Sequence, residues 1–145
     1  MVPLRPVTVL AAFEAGREDL PRELAGRWGG EVGENWIADF LLPVWGLVAA
    51  GLGVPDPAPL YDRLLPQADQ LIVAGMGCVG WGSAHHVLAG LADRLGRTAA
   101  ALEHAETALE THRALGLTYW KELSLAQLRD LRARHGAGNP LPEMS

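Results

Sequence analysis

From Ser83 to Arg134 the chain carries three long stretches of helical periodicity separated by two short breaks, and this segment constrains the fold more than any other. The stretches run Ala84 to Leu95, Thr98 to Leu115 and Thr118 to Arg134. Ser83 precedes the first and suits an N-cap, because its hydroxyl can accept a bond from an unsatisfied first-turn N–H. Gly96 provides a turn between the first two, which predicts a helical hairpin. Leu88 and Ala89 on the first helix, with Ala101 and Ala108 on the second, are the residues for a close crossing. A single hairpin cannot bury its own apolar faces, so the earlier part of the chain must stack against it.

That earlier part also reads as helix, less regularly. Val7 to Ala15 is a short apolar helix with Pro6 at its first position and Gly16 at its end. Asp19 and Pro21 start a second, and the glycines of Arg27 to Gly33 mark a loop. Asn35 caps a long apolar helix, Trp36 to Ala50, kinked at Pro43. Its length approaches a membrane span, but Asp39, Pro43 and several glycines interrupt it, so a buried core helix is predicted. After the connector GLGVPDPAP comes a helix over Pro59 to Ala68. Ile72 and Val73 are β-branched and predict a brief extended piece, and GMGCVGWG reads as a glycine-rich loop. The expectation is an all-α protein of six to seven helices stacked as antiparallel hairpins, one domain over 1–135 with a frayed tail over 136–145.

With 145 residues, 49% of them hydrophobic, the chain can bury a core without disulfides or metal. A net charge of -5 argues against nucleic-acid binding, which depends on Lys and Arg displacing counterions. The basic residues near the C-terminus, Lys121, Arg129, Arg132 and Arg134, alternate with Glu122 and Asp130 and read as a solvated face. The N-terminus lacks a strongly basic start and meets Glu14 and Glu18 early, so no signal peptide is predicted. With the lone Cys78, this points to a cytoplasmic protein without membrane attachment.

The hairpin resembles a tetratricopeptide unit, a helix–turn–helix of roughly 34 residues with small residues at the crossing. Leu88 and Ala89 stand at its Leu–Gly positions, while Ala105 stands where a large aromatic is usual. More widely, Asn35 to Leu128 is similar to the C-terminal tetratricopeptide-like region of large bacterial AAA-type ATPase regulators, which also carry helix-turn-helix or nucleotide cyclase domains. The residues that carry this are Asn35–Trp36, LYDRLLPQAD at Leu60–Asp69, the glycine loop Gly75–Gly82, GSAHHVLAGLADRLGR at Gly82–Arg97 and LEHAETALETHRALG ending at Gly116. Trp81 replaces a smaller aliphatic residue of that pattern. No G-x-x-x-x-G-K-[ST] phosphate loop is present, so the resemblance carries no ATPase activity with it. It implies a stand-alone sensing or scaffold module.

His85 and His86 are the candidate acid–base pair. Neighbours on a helix diverge by about 100°, so the two cannot readily share a metal. The plainer reading is packing or helix surface. His104 and His112 lie about 12 Å apart along one helix, too far for one zinc, and HExxH is absent, so neither metal nor cofactor is expected. Cys78 lies before a helix N-terminus, where a thiolate is favoured and a nearby His would complete a pair; the alternative is a small buried residue in a tight loop. Five tryptophans are many for this length. Trp36 and Trp45 read as core; Trp81, Tyr119 and Trp120 lie close to the histidines in sequence or border loops. With Trp36, and with Asp39 or Glu122 as polar group, they form a candidate aromatic pocket.

Two functions follow. One is an interaction or regulatory module whose helices present a groove to a protein or peptide partner, or to a second copy as a homodimer. The other is a binder or enzyme for an apolar small molecule, with Trp81, His85 and a carboxylate about one cavity.

Overall fold

A computed structural model describes residues 5–30, 32, 38–74 and 79–136. Among them are seven α-helices and one two-stranded sheet, so the protein is all-α. Helix α1 spans Arg5–Glu14 and α2 spans Asp19–Trp28. Helix α2 runs further than the sequence suggested, into the expected loop, and stops where Gly29 turns left-handed and its N–H bonds the carbonyl of Ala25.

Helix α3 (Ala38–Leu52) is the centre of the fold. Leu41, Leu42, Val44, Trp45, Val48, Ala49 and Leu52 are all buried and share one broad face of the helix, which buried Pro43 and Gly46 extend. Pro43 lies inside α3. The expected cap Asn35 and first-turn residue Trp36 lie outside the described residues. At its C-terminal end α3 has carbonyls with no partner inside the helix. Arg22 donates to Leu52 O (2.9 Å), and Arg94 donates to Ala50 O (3.2 Å) and Gly51 O (2.7 Å). These two arginines tie α2 and the fifth helix to the end of the third.

Helix α4 (Pro57–Leu64) starts two residues earlier than expected, because Asp56 caps it by accepting from Ala58 N–H at 3.1 Å. Pro57 fits the first turn, where no N–H is needed. A 3-10 turn, Leu65–Gln67, carries the chain past Pro66. The extended piece at Ile72 and Val73 is strand β1 (Leu71–Ala74), with Ile72 buried and Leu71 and Val73 exposed. The end of the glycine-rich segment, read as loop, is in fact a second strand, β2 (Val79–Ser83). It pairs antiparallel with β1, Leu71 opposite Ser83 and Val73 opposite Gly80. Pairing partners are a long-range property, so glycine content alone misread this strand.

Helices α5 (Ala84–Arg94), α6 (Thr98–Ala114) and α7 (Thr118–Gly136) follow the expected boundaries to within two residues. Both turns between them close in the same way. Gly96 (φ +74°) and Gly116 (φ +68°) adopt the left-handed conformation. Gly96 N–H bonds Asp93 O and Arg97 N–H bonds Ala92 O; Gly116 and Leu117 repeat the pair on Arg113 O and His112 O. Each helix is thereby reversed onto the next. Ala101, Ala105 and Ala108 are wholly buried in the α5–α6–α7 stack. The C-terminal basic residues are partly engaged: Arg132 pairs with Glu106, and Arg134 with Asp93 and Asp130.

The two halves meet where α3 crosses α5, and glycine permits the approach. A Cβ on Gly46 would fall 2.5 Å from Val87 Cγ1, and one on Gly90 would fall 2.9 Å from Ala50 Cβ. Helix propensity alone says that Gly46→Ala stabilises by about 1 kcal/mol. We expect an overpacking cost of about 1–3 kcal/mol to win, with a net loss of up to about 2 kcal/mol in urea-unfolding free energy.

Candidate functional site

The junction of β2 and α5 organises the polar interior. Ser83 caps α5, its Oγ accepting from His85 N–H at 3.2 Å. The Ser83 N–H donates to Nε2 of His112 at 2.8 Å. An amide can only donate, so Nε2 carries the lone pair and Nδ1 carries the proton. That Nδ1–H donates to Ser124 Oγ on α7 at 2.7 Å. His112 is fully buried, and its burial lowers its pKa, as a ring fixed in one neutral tautomer requires.

From this junction His85 and His86 leave α5 in different directions. His85 Nε2 lies 2.9 Å from Asp69 Oδ1, and its Nδ1 lies 2.9 Å from His104 Nδ1. His104 Nε2 lies 2.9 Å from the Tyr61 hydroxyl. With Asp69 ionised and both rings neutral, the donors have one consistent order. Tyr61 O–H donates to His104, His104 Nδ1–H to His85, and His85 Nε2–H to the carboxylate. The chain runs from buried Tyr61 to fully exposed Asp69. Burial, then the neighbouring His85, hold the His104 pKa below its ordinary value. The Arg97 guanidinium sits 5.1 Å above the Tyr61 ring.

His86 points instead toward α7 and a pocket of about 360 Å³. Trp81, Tyr119 and Trp120 form its aromatic wall, Leu47 and Leu123 add apolar surface, and Glu14 stands among the lining residues. Trp81 meets Phe40 edge-on at 5.6 Å and Trp120 at 6.4 Å. Trp120 in turn packs on Tyr119, His112 and His86, at 5.3, 6.2 and 6.3 Å between ring centres. Gly82 makes room for this wall. It has φ +77°, and a Cβ there would lie 2.8 Å from Trp120 Cδ2 and 3.0 Å from His112 Nε2. Nδ1 of His86 and Oε1 of Gln127 are buried with no hydrogen-bond partner among the described residues, while Gln127 Nε2 donates to the His86 carbonyl. Burial, and behind it the charge His112 would carry, push the His86 pKa down to about 4; the Gln127 side chain against the ring opposes this.

The structure thus joins Trp81, His86, Tyr119 and Trp120 from the expected site. It corrects the expected union of Trp81 with His85, which faces Asp69 and His104 because a 100° step along α5 turns it away. Asp39, exposed in the first turn of α3, does not line the pocket, nor does Glu122, which lies beside Lys121; among the described residues the carboxylate there is Glu14. Trp36 and Cys78 lie outside the described residues. The sequence reading missed the Asp69–Tyr61 chain and the His112–Ser124 bond, whose partners are distant along the chain. A second cleft of about 440 Å³ beside the α1–α2 turn is lined by Arg17, Glu18, Asp19 and Arg22, charges of both signs. Among the described residues no three His, Cys, Asp or Glu side chains are grouped to hold a metal, and no helix is long and apolar enough to cross a membrane. No protein family profile, curated protein or solved structure matches the chain.

The buried imidazole has a pH signature. Its folded pKa lies below the ordinary 6.5, so the unfolded chain binds the proton first as pH falls. The stability it contributes is complete above 6.5 and is lost between 6.5 and about 4. Urea unfolding at pH 7.5 and 4.5 should show His86→Leu losing about 2–3 kcal/mol less than the parent over that interval. Equal losses in both proteins are incompatible with a buried neutral His86.

Proposed function

We propose that this chain is a binding protein for a flat, apolar small molecule, which it holds against Trp81 and Trp120. The aromatic pocket carries the reading: about 360 Å³ falls within the range of ligand sites, and its walls are rings with few polar groups. Those rings are held in place by Gly82 and by contacts to Phe40 and His112, so the shape is largely preformed. His86 serves as a hydrogen-bonding group in this reading. An imidazole with pKa about 4 is a weak base near neutrality, which favours holding a ligand over abstracting its proton. His85, bonded to Asp69 and His104, plays no part in the pocket.

A second reading, an interaction module of the tetratricopeptide-like kind, draws on the α5–α6 hairpin and its alanine seam together with the resemblance to the regulators' C-terminal region. There the docked group would be an aromatic side chain of a protein or peptide. Both readings use the same rings; a free small molecule suffices only for the first.

Indole is a suitable probe. Titration followed by NMR should move the indole N–H signals of Trp81 and Trp120 and leave that of fully buried Trp45 in place. For a ligand this small the Kd should be roughly millimolar or tighter. Trp81→Leu, at a half-buried position, should weaken binding by about tenfold with the fold retained by circular dichroism. No shift at saturating indole would remove the pocket from consideration as a ligand site.

A further inference from the structure

The electrostatics of the same pocket select among flat ligands. Resting on the reading just given, we infer that the site takes a cationic aromatic amine, a planar ring bearing a protonated nitrogen, in preference to a neutral or acidic ring.

Four features of the pocket agree on sign. Glu14 supplies a full negative charge at the lining. It is also the last residue of α1, at the negative end of that helix's dipole. No basic side chain occupies the last turn of α1 to offset either. Trp81, Tyr119 and Trp120 line the pocket, and the face of such a ring carries the negative lobe of its quadrupole, which attracts ammonium groups at close range. Among the described residues no Lys or Arg lines the pocket, so no cation there pairs with a carboxylate or phosphate.

His86 agrees with this assignment. The buried edge of its ring carries Nδ1 beside the Gln127 carboxamide, whose Oε1 is an acceptor without a partner among the described residues. The proton belongs on Nδ1 in that setting, which leaves the Nε2 lone pair on the edge the pocket reaches. A neutral imidazole presenting a lone pair accepts an N–H and repels an oxyanion. The overall charge of -5 adds a weak, salt-sensitive bias in the same direction.

Tryptamine, indole and indole-3-acetate share one ring and differ in charge, so they separate this inference from the pocket reading beneath it. Calorimetric or NMR titration of the full chain at neutral pH and low salt should rank them in that order. Tryptamine should bind roughly tenfold more tightly than indole-3-acetate. Glu14→Gln should shrink that ratio by about threefold or more, and Glu14→Lys should reverse the order. Glu14 is exposed, and retained circular dichroism checks that both variants fold. If indole binds and the two charged probes bind equally, or Glu14→Gln leaves their ratio unchanged, the charge selection is wrong and the pocket stands. If none of the three binds, both the pocket and the selection built on it fall.

Discussion

One buried imidazole holds the C-terminal half in register. His112 on α6 accepts the Ser83 amide at the β2–α5 junction and donates to Ser124 on α7, so a single ring ties that junction to both following helices. Leaving either partner unmet in the interior would cost about 1–3 kcal/mol, so the register cannot slip without a penalty comparable to a large part of a small domain's stability. The ring also forms the floor under Trp120. Gly82, which cannot carry a Cβ without meeting both His112 and Trp120, lets the strand pass close enough for the amide next to it to reach Nε2. The hydrogen bond, the glycine and the pocket wall are therefore one arrangement.

The N-terminal half relies on a different device. Helix α3 is apolar nearly all round and belongs in the middle, but its last carbonyls have no partner within the helix. Arg22 and Arg94 reach it from opposite sides in sequence and supply N–H groups to Ala50, Gly51 and Leu52. Their aliphatic stems can lie on apolar surface while the guanidinium groups remain partly wet, which makes arginine better suited than a short polar residue. Gly46 and Gly90 then set how closely α3 and α5 approach.

Local signals were the legible ones. The ends of α5, α6 and α7 follow from Gly96, Gly116 and the Ser83 cap, because each acts within a few residues. The role of α3 as core helix was likewise readable from composition alone. Strand β2 was not, since its Gly80 and Gly82 argue for loop until β1 is placed beside them. The candidate site was half legible. Trp81, His86, Tyr119 and Trp120 come from two short stretches of sequence at the ends of the three-helix segment, which its two helix reversals bring together. Glu14 belongs to the first helix, and nothing local marks it as the carboxylate that replaces Asp39 or Glu122. The same holds for His104, which reads as one of several polar residues on α6 until Tyr61 and His85 are brought against it.

The pair His85–His86 shows how little residue identity decides by itself. Both are imidazoles at the start of one helix, and the 100° step between them assigns each a different chemistry. His85 joins a chain that ends on a solvent-exposed carboxylate, so a proton added there has a stabilising partner. That proton would make His85 the donor to His104, and His104 the donor to Tyr61, with both contacts kept and only their direction changed. His86 is set differently, although Glu14 lines the same pocket. Its neighbours are Trp120, Gln127 and the buried His112, and a charge on it would have to be borne in apolar surroundings. One histidine is therefore tied into a chain that reaches solvent, while the other stands beside the aromatic wall, where burial keeps it neutral near neutrality.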